Sequence, residues 1–84
     1  MLQNKKIVII GGTTGIGLSA AKAFVLQGAK VILVGRNPES CRKAKEIVGK
    51  AGEIFVGDAI DSATAINAID FCISTFDGFD GLYH

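Results

Sequence analysis

The stretch from Lys5 to Phe24, KKIVIIGGTTGIGLSAAKAF, constrains the fold of this chain more than any other part of it. A run of β-branched apolar residues, 7–10, stops at two glycines, and two threonines then precede the triplet Gly15-Ile16-Gly17. An alanine-rich segment follows, in which apolar residues recur at helical spacing. The stripe predicted to be buried comprises Ile16, Ala20, Ala23 and Phe24. The stretch therefore predicts a strand, a glycine turn and a helix.

The glycine turn predicts a phosphate-binding site. Backbone N–H groups at a helix N-terminus point outward and carry the positive end of the helix dipole, which favours an anion. Gly11 is expected to turn the chain, Gly15 to let the backbone approach a ligand, and Gly17 to let helix and strand pack closely. The hydroxyls of Thr13 and Thr14 either bond phosphate and ribose oxygens or only cap the helix.

Apolar runs alternate with helical patterns along the rest of the chain. The predicted strands are 5–10, 30–34, 53–56 and a fourth that begins near residue 80, and the predicted helices are 15–27, one opened by Asn37 and Pro38, and 63–75. Short joints between apolar strands and helices are typical of βαβ units, hence of parallel strands with right-handed crossovers. The order β-α-β-α-β-α-β predicts an α/β fold, a partial doubly wound parallel sheet with strand order 3-2-1-4.

The buried faces of the later helices follow from the same spacing. The stripe of the second helix is predicted to be Cys41, Ala44 and Val48, and that of the third to be Ile66, Ile69, Ile73 and Phe76.

Composition narrows the class of protein. Eighty-four residues with 49% hydrophobic content predict one small globular domain. No apolar run approaches the roughly 20 residues that a membrane span needs, and a net charge of +1 favours no nucleic acid partner. Cys41 and Cys72 lack metal-ligand or CxxC spacing, so we expect core thiols in a reduced, cytoplasmic protein and no metal site.

The turn GGTTGIG, entered from a VII strand, resembles the TGxxxGIG turn of short-chain dehydrogenases/reductases, with Ile10 in place of the usual threonine. The resemblance runs over essentially the whole chain, but only over the N-terminal, cofactor-binding part of that family. It implies that residues 1–84 form part of a single Rossmann domain that binds a nicotinamide dinucleotide. The family's catalytic Tyr-x-x-x-Lys, serine and asparagine are expected beyond His84.

The resemblance also implies which residues hold the cofactor. Those of the turn and of the next two strand ends are Gly11, Thr13, Thr14, Gly15, Ile16, Gly17, Arg36, Asp58 and Ala59. The family position for an acid that binds the ribose 2′-OH is Gly35, and Arg36 follows it, which favours NADP(H) because a guanidinium binds a 2′-phosphate where a carboxylate would repel it. Asp58 is expected to accept from the adenine amino group, beside the Ala59 N–H. The alternative interpretations are that Arg36 is a solvated arginine at a strand end and that Asp58 is an exposed loop aspartate, neither of which binds the cofactor.

The family's activity would be hydride transfer between nicotinamide and a small-molecule carbonyl or alcohol. No catalytic residue is predicted within the chain: Tyr83 is followed by no lysine at the fourth position, so the 84 residues alone are expected to be inactive. A non-catalytic NADP(H)-binding sensor module is the alternative, and Gly35-Arg36 does not fit a methyltransferase-like fold. An unpaired edge on the fourth strand predicts that copies associate as a homo-oligomer.

Overall fold

Four parallel strands form a single sheet in the computed structural model, which describes residues 2–84. The elements in chain order are β1 Lys6–Ile10, α1 Gly15–Leu26, β2 Lys30–Gly35, α2 Pro38–Val48, a 3₁₀ turn Gly49–Ala51, β3 Gly52–Val56, α3 Ser62–Phe76 and β4 Gly81–Tyr83. The strand order is β3-β2-β1-β4. The predicted α/β fold, a partial doubly wound sheet of order 3-2-1-4, is therefore confirmed.

The strands β1 and β2 form the centre of the molecule. In the parallel register, Ile9 of β1 lies between Leu33 of β2 and Tyr83 of β4. Alternate residues of β1 and β2 face opposite sides of the sheet, and both sides are covered by helices, as continuous apolar runs require. The residues of these two strands that pack on the side of α1 and α2 are Ile7, Ile9, Val31 and Leu33, and those on the side of α3 are Val8, Ile10, Ile32 and Val34.

The buried face of α2 is the predicted one, since Cys41, Ala44 and Val48 are all buried. The predicted stripe of α1 is partly wrong: Ile16 is 82% exposed and Ala23 is exposed, whereas Ala21 is fully buried. Leu18, Phe24 and Val25 pack around this core. Apolar residues occur on every side of α1, so their spacing alone does not determine which side meets the sheet.

The predicted stripe of α3 is also partly wrong. Ile69 and Phe76 pack against the core, but Ile66 and Ile73 are exposed. The residues turned to the sheet are the smaller Thr64, Ala68 and Cys72. Small side chains at these positions let α3 lie close to the sheet.

Both cysteines are free and buried, as predicted for core thiols. Burial raises the pKa of the Cys41 thiol, and burial together with the nearby Asp80 carboxylate raises the pKa of the Cys72 thiol. Since the thiolate is the reactive form, both side chains behave as small core residues.

Within residues 2–84, no helix combines the length and the apolar character needed to cross a membrane. The same part of the chain holds no cluster of three or more His, Cys, Asp or Glu side chains that could bind a metal ion.

Two leucines provide a matched test of this core. Leu33 is fully buried, whereas Leu26 near the end of α1 is 87% exposed. We expect Leu33→Ala to lower the free energy of unfolding by about 2–5 kcal/mol, because it removes core contacts and leaves a cavity. Leu26→Ala should change it by no more than about 0.5 kcal/mol. Urea denaturation followed by circular dichroism measures both, and equal losses would contradict the assigned core.

Candidate functional site

A cavity of about 390 Å³ opens at the edge of the sheet where β1, β2 and β3 end. Three segments supply its wall: Gly11, Thr13 and Thr14 after β1, residues 34–37 from the end of β2 onward with Ser40 of α2, and 57–60 after β3. The carboxyl ends of parallel strands meet at one edge, and this edge is where open α/β sheets bind ligands. The volume lies within the range of about 300–1,000 Å³ that is usual for small-molecule pockets.

The cavity brings together predicted cofactor residues from the glycine turn, from the end of β2 and from the end of β3. The predicted cofactor residues in its wall are Gly11, Thr13, Thr14, Arg36, Asp58 and Ala59. Gly15, Ile16 and Gly17 form the first turn of α1 beside the cavity and are not part of its wall. The Ile16 side chain points to solvent, so only its backbone N–H is available for a ligand at the start of the helix.

The first turn of α1 lies directly against the end of β1. A Cβ atom built on Gly17 would overlap the carbonyl group of Gly11 and approach the Cα of Gly12 to 3.0 Å. The predicted role of Gly17 in close packing therefore has a definite partner, the Gly11 backbone. The turn is also tied to the neighbouring strand, since the N–H groups of Gly11 and Gly12 donate to the Val34 carbonyl at 2.9 and 3.2 Å.

Gly15 has open space in front of it and a left-handed backbone, with φ of +56°. Apart from its two neighbours in the chain and the backbone of its own helix, no atom lies within 4 Å of a Cβ built there. Thr14 is the N-cap residue of α1, but its side chain makes no capping hydrogen bond, and the first turn contains no acidic residue. The start of α1 thus keeps its positive character and presents backbone without a covering side chain, which is the arrangement that accepts phosphate groups.

The end of β2 excludes an acid at residue 35 in this conformation. Thr13 is buried against Gly35, and a Cβ atom built on Gly35 would lie 2.5 Å from both the Oγ1 and the Cγ2 atoms of Thr13. The first side chain after β2 at the cavity is therefore the guanidinium of Arg36.

Arg36 and Asp58, both in the cavity wall, form an ion pair. The Arg36 Nη1 atom lies 3.4 Å from Asp58 Oδ2, and the two side chains are 78% and 40% exposed. The other carboxylate oxygen, Asp58 Oδ1, accepts from the Ile60 N–H at 3.1 Å. An ion pair this exposed contributes about 0–1 kcal/mol to stability, so it can be broken at low cost.

Sequence reasoning missed Ser40 and Ile60, which also line the cavity. Ser40 lies in the first turn of α2, where Asn37 Oδ1 accepts from the N–H groups of Glu39 and Ser40 at 2.9 and 3.1 Å. Asn37 and Pro38 do open α2 as predicted. A helix that begins directly after β2 must start at the carboxyl edge, and that was a usable signal for Ser40. Ile60 carried no such signal.

Known proteins resemble this chain in both sequence and fold. Residues 5–84 match the family model for short chain dehydrogenase. An NADP-dependent (R)-specific alcohol dehydrogenase of Lentilactobacillus kefiri is 44% identical over 64 residues, which are 74% of this chain and 25% of that enzyme. Short-chain dehydrogenase reductase 3c of Arabidopsis thaliana is 30% identical over 83 residues, which are 98% of this chain and 32% of that protein.

Two solved structures agree closely in fold. A 3-ketoacyl-(acyl-carrier-protein) reductase of Brucella melitensis, crystallised with NADH, gives a TM-score of 0.89 at 29% identity and covers 98% of this chain and 34% of its own. A short chain dehydrogenase of Bacillus anthracis gives 0.83 at 26% identity and covers 93% of this chain and 34% of its own. The chain thus spans between 25% and 34% of the length of these four proteins. With a family match over almost all of its residues, it belongs to the short-chain dehydrogenase family.

Proposed function

We propose that residues 1–84 are the NADP(H)-binding part of a single Rossmann domain in a short-chain oxidoreductase. One observation carries the proposal: a single cavity is lined both by Thr14, the N-cap residue at the start of α1, and by Arg36, with no acid at residue 35. The first feature suits a pyrophosphate, and the second suits a phosphate on the adenosine ribose.

The residues present fit the group. The backbone of the turn around Gly15 would hold the pyrophosphate, because Gly15 is exposed and carries no side chain. Thr13 and Thr14 both lie in the wall, but Thr13 is buried against Gly35, so the exposed Thr14 is the one whose hydroxyl would meet phosphate or ribose oxygens. The adenosine would lie across the end of β2, with Arg36 near the ribose and with Asp58 and the Ala59 N–H near the base.

The relatives support a nicotinamide cofactor but differ in which one they name. The Lentilactobacillus enzyme is described as NADP-dependent, whereas the Brucella reductase was crystallised with NADH. The preference for NADP(H) in this chain therefore rests on its own residues. Gly35 offers no carboxylate to the ribose 2′-OH, and Arg36 supplies a permanent positive charge that would be attracted to a 2′-phosphate.

In the whole protein, the bound nicotinamide would exchange hydride with the carbonyl or alcohol carbon of a small-molecule substrate. The residues described here bind and orient the cofactor and are not proton donors to that substrate. Tyr83 has a packing role instead: its ring meets that of Phe24 edge to face, with 5.6 Å between centroids. We therefore propose that catalysis needs residues outside positions 1–84.

Two further proposals concern the state of the protein. β4 is hydrogen-bonded to β1 alone among the described strands, and Leu82 on β4 is half exposed. Copies of the 84-residue chain are therefore expected to associate through this edge, which light scattering would detect.

The unpaired buried cysteines favour a reducing compartment, and we propose the cytoplasm, which imaging of a tagged protein would test.

Replacement of Arg36 tests the choice of cofactor. We expect the wild type to bind NADP⁺ more tightly than NAD⁺ by about tenfold to a hundredfold, because a charged hydrogen bond contributes about 1.5–3 kcal/mol. Arg36→Ala should remove most of that difference and leave NAD⁺ binding nearly unchanged. Isothermal titration calorimetry with both dinucleotides measures it.

Arg42→Ala is the matched control for that experiment. Arg42 lies on the exposed face of α2, where it pairs with Glu39 and Glu46, and it is not in the cavity wall. Its replacement should preserve the preference for NADP⁺. Equal affinity of the wild type for the two dinucleotides would contradict the proposed cofactor.

The absence of a proton donor is tested by activity. The 84-residue chain should not oxidise NADPH above the blank with any carbonyl substrate, and Tyr83→Phe should make no difference. The measurement is the fall in NADPH absorbance over time. Oxidation by the wild type that disappears in Tyr83→Phe would show that Tyr83 is a catalyst after all.

A further inference from the structure

We propose that Asp58 sets the selectivity of this site between NADP⁺ and NAD⁺, because its carboxylate competes with the ribose 2′-phosphate for Arg36. The inference rests on the proposed function and adds a specificity-determining residue to it. The ion pair between Arg36 and Asp58 in the cavity wall carries it.

The sheet places the two loops that carry this pair side by side. Arg36 directly follows β2 and Asp58 follows β3 by one glycine, and the two strands are parallel neighbours. The Gly57 N–H donates to the Gly35 carbonyl at 2.9 Å, which extends the pairing of the strands up to the two charged residues. Among residues 2–84, Asp58 supplies the only carboxylate within 4 Å of the Arg36 guanidinium.

Asp58 is the fixed member of the pair. Its Oδ1 atom accepts from the Ile60 N–H at 3.1 Å, and its backbone carbonyl accepts from the Asp61 N–H at 3.1 Å. These bonds hold the loop in a turn that orients the carboxylate. The Arg36 side chain, at 78% exposed, has no second partner among the described residues and is free to change partner.

The guanidinium therefore has two possible anionic partners. With NAD⁺ in the cavity, Arg36 stays paired with Asp58, and the ion pair is kept. With NADP⁺, the guanidinium binds the 2′-phosphate, and part of its attraction to the Asp58 carboxylate is lost. Because an exposed ion pair is weak, the competition should reduce the preference for NADP⁺ only about twofold to fivefold.

The substitution Asp58→Asn isolates this effect. Asparagine retains an oxygen for the Ile60 N–H and for an adenine amino group, and it removes the charge that holds Arg36. The adenine is common to both dinucleotides, so changes in its contacts cancel in the ratio of the NAD⁺ and NADP⁺ dissociation constants. A general loss of folding also affects both constants. The ratio thus reports the 2′-phosphate alone.

The experiment is calorimetric titration of NADP⁺ and NAD⁺ into four proteins: the wild type, Asp58→Asn, Arg36→Ala and the double variant. The Kd for NAD⁺ divided by the Kd for NADP⁺ should rise about twofold to fivefold in Asp58→Asn. This ratio should not rise when the same change is made in the Arg36→Ala background. Asp61→Asn is the matched control. Asp61 is in the same loop and caps α3 through the Ala63 N–H at 3.0 Å, a role that asparagine can keep, so this variant should leave the ratio unchanged.

The outcomes separate this inference from the proposed function. If Arg36→Ala lowers the ratio but Asp58→Asn leaves it unchanged or lowers it, Asp58 is not a competitor and the inference is wrong. An equal rise in both backgrounds also overturns it, because the carboxylate would then repel the phosphate directly. If Arg36→Ala itself leaves the ratio unchanged, the proposed NADP(H) site is wrong. Asp58→Ser, whose hydroxyl can also accept from the loop, replaces Asp58→Asn should that variant fail to fold.

Discussion

The approach of Gly17 to the Gly11 carbonyl is the contact on which the candidate site depends. No side chain fits between these two backbone segments, so α1 can begin directly beside the end of β1 only because residue 17 is glycine. The bonds from the turn to the Val34 carbonyl then fix this helix start beside the end of β2. One steric condition therefore places the positive end of a helix beside the cavity that Arg36 lines.

Stability and the proposed selectivity for NADP(H) come from different parts of the molecule. The free energy of folding comes mainly from β1 and β2, which are buried between helices on both faces of the sheet. The ion pair of Arg36 and Asp58 in the cavity wall contributes little to it, because solvent reaches both side chains. Substitutions at these two positions can therefore change what the site prefers to bind without unfolding the chain.

Much of the fold could be predicted because the strands are continuous apolar runs and the joints between them are short. The buried side of α2 could also be predicted, since charged residues occupy its other sides. The buried sides of α1 and α3 could not be predicted correctly, because isoleucines such as Ile16 and Ile66 are exposed while smaller residues face the sheet. At the site, the sequence indicated which residues follow the strands. It could not indicate that Arg36 and Asp58 touch, because that depends on the distance between two loops.

Dinucleotide binding at the carboxyl edge is tested most directly by nuclear magnetic resonance of the ¹⁵N-labelled chain titrated with NADP⁺. The largest amide shifts should be saturable and should lie in residues 11–17, at Arg36 and at Ala59. Leu26 and Lys30, at the opposite edge of the sheet, should not respond. The absence of saturable shifts, or the largest shifts at that opposite edge, would show that the cavity described here is not the cofactor site.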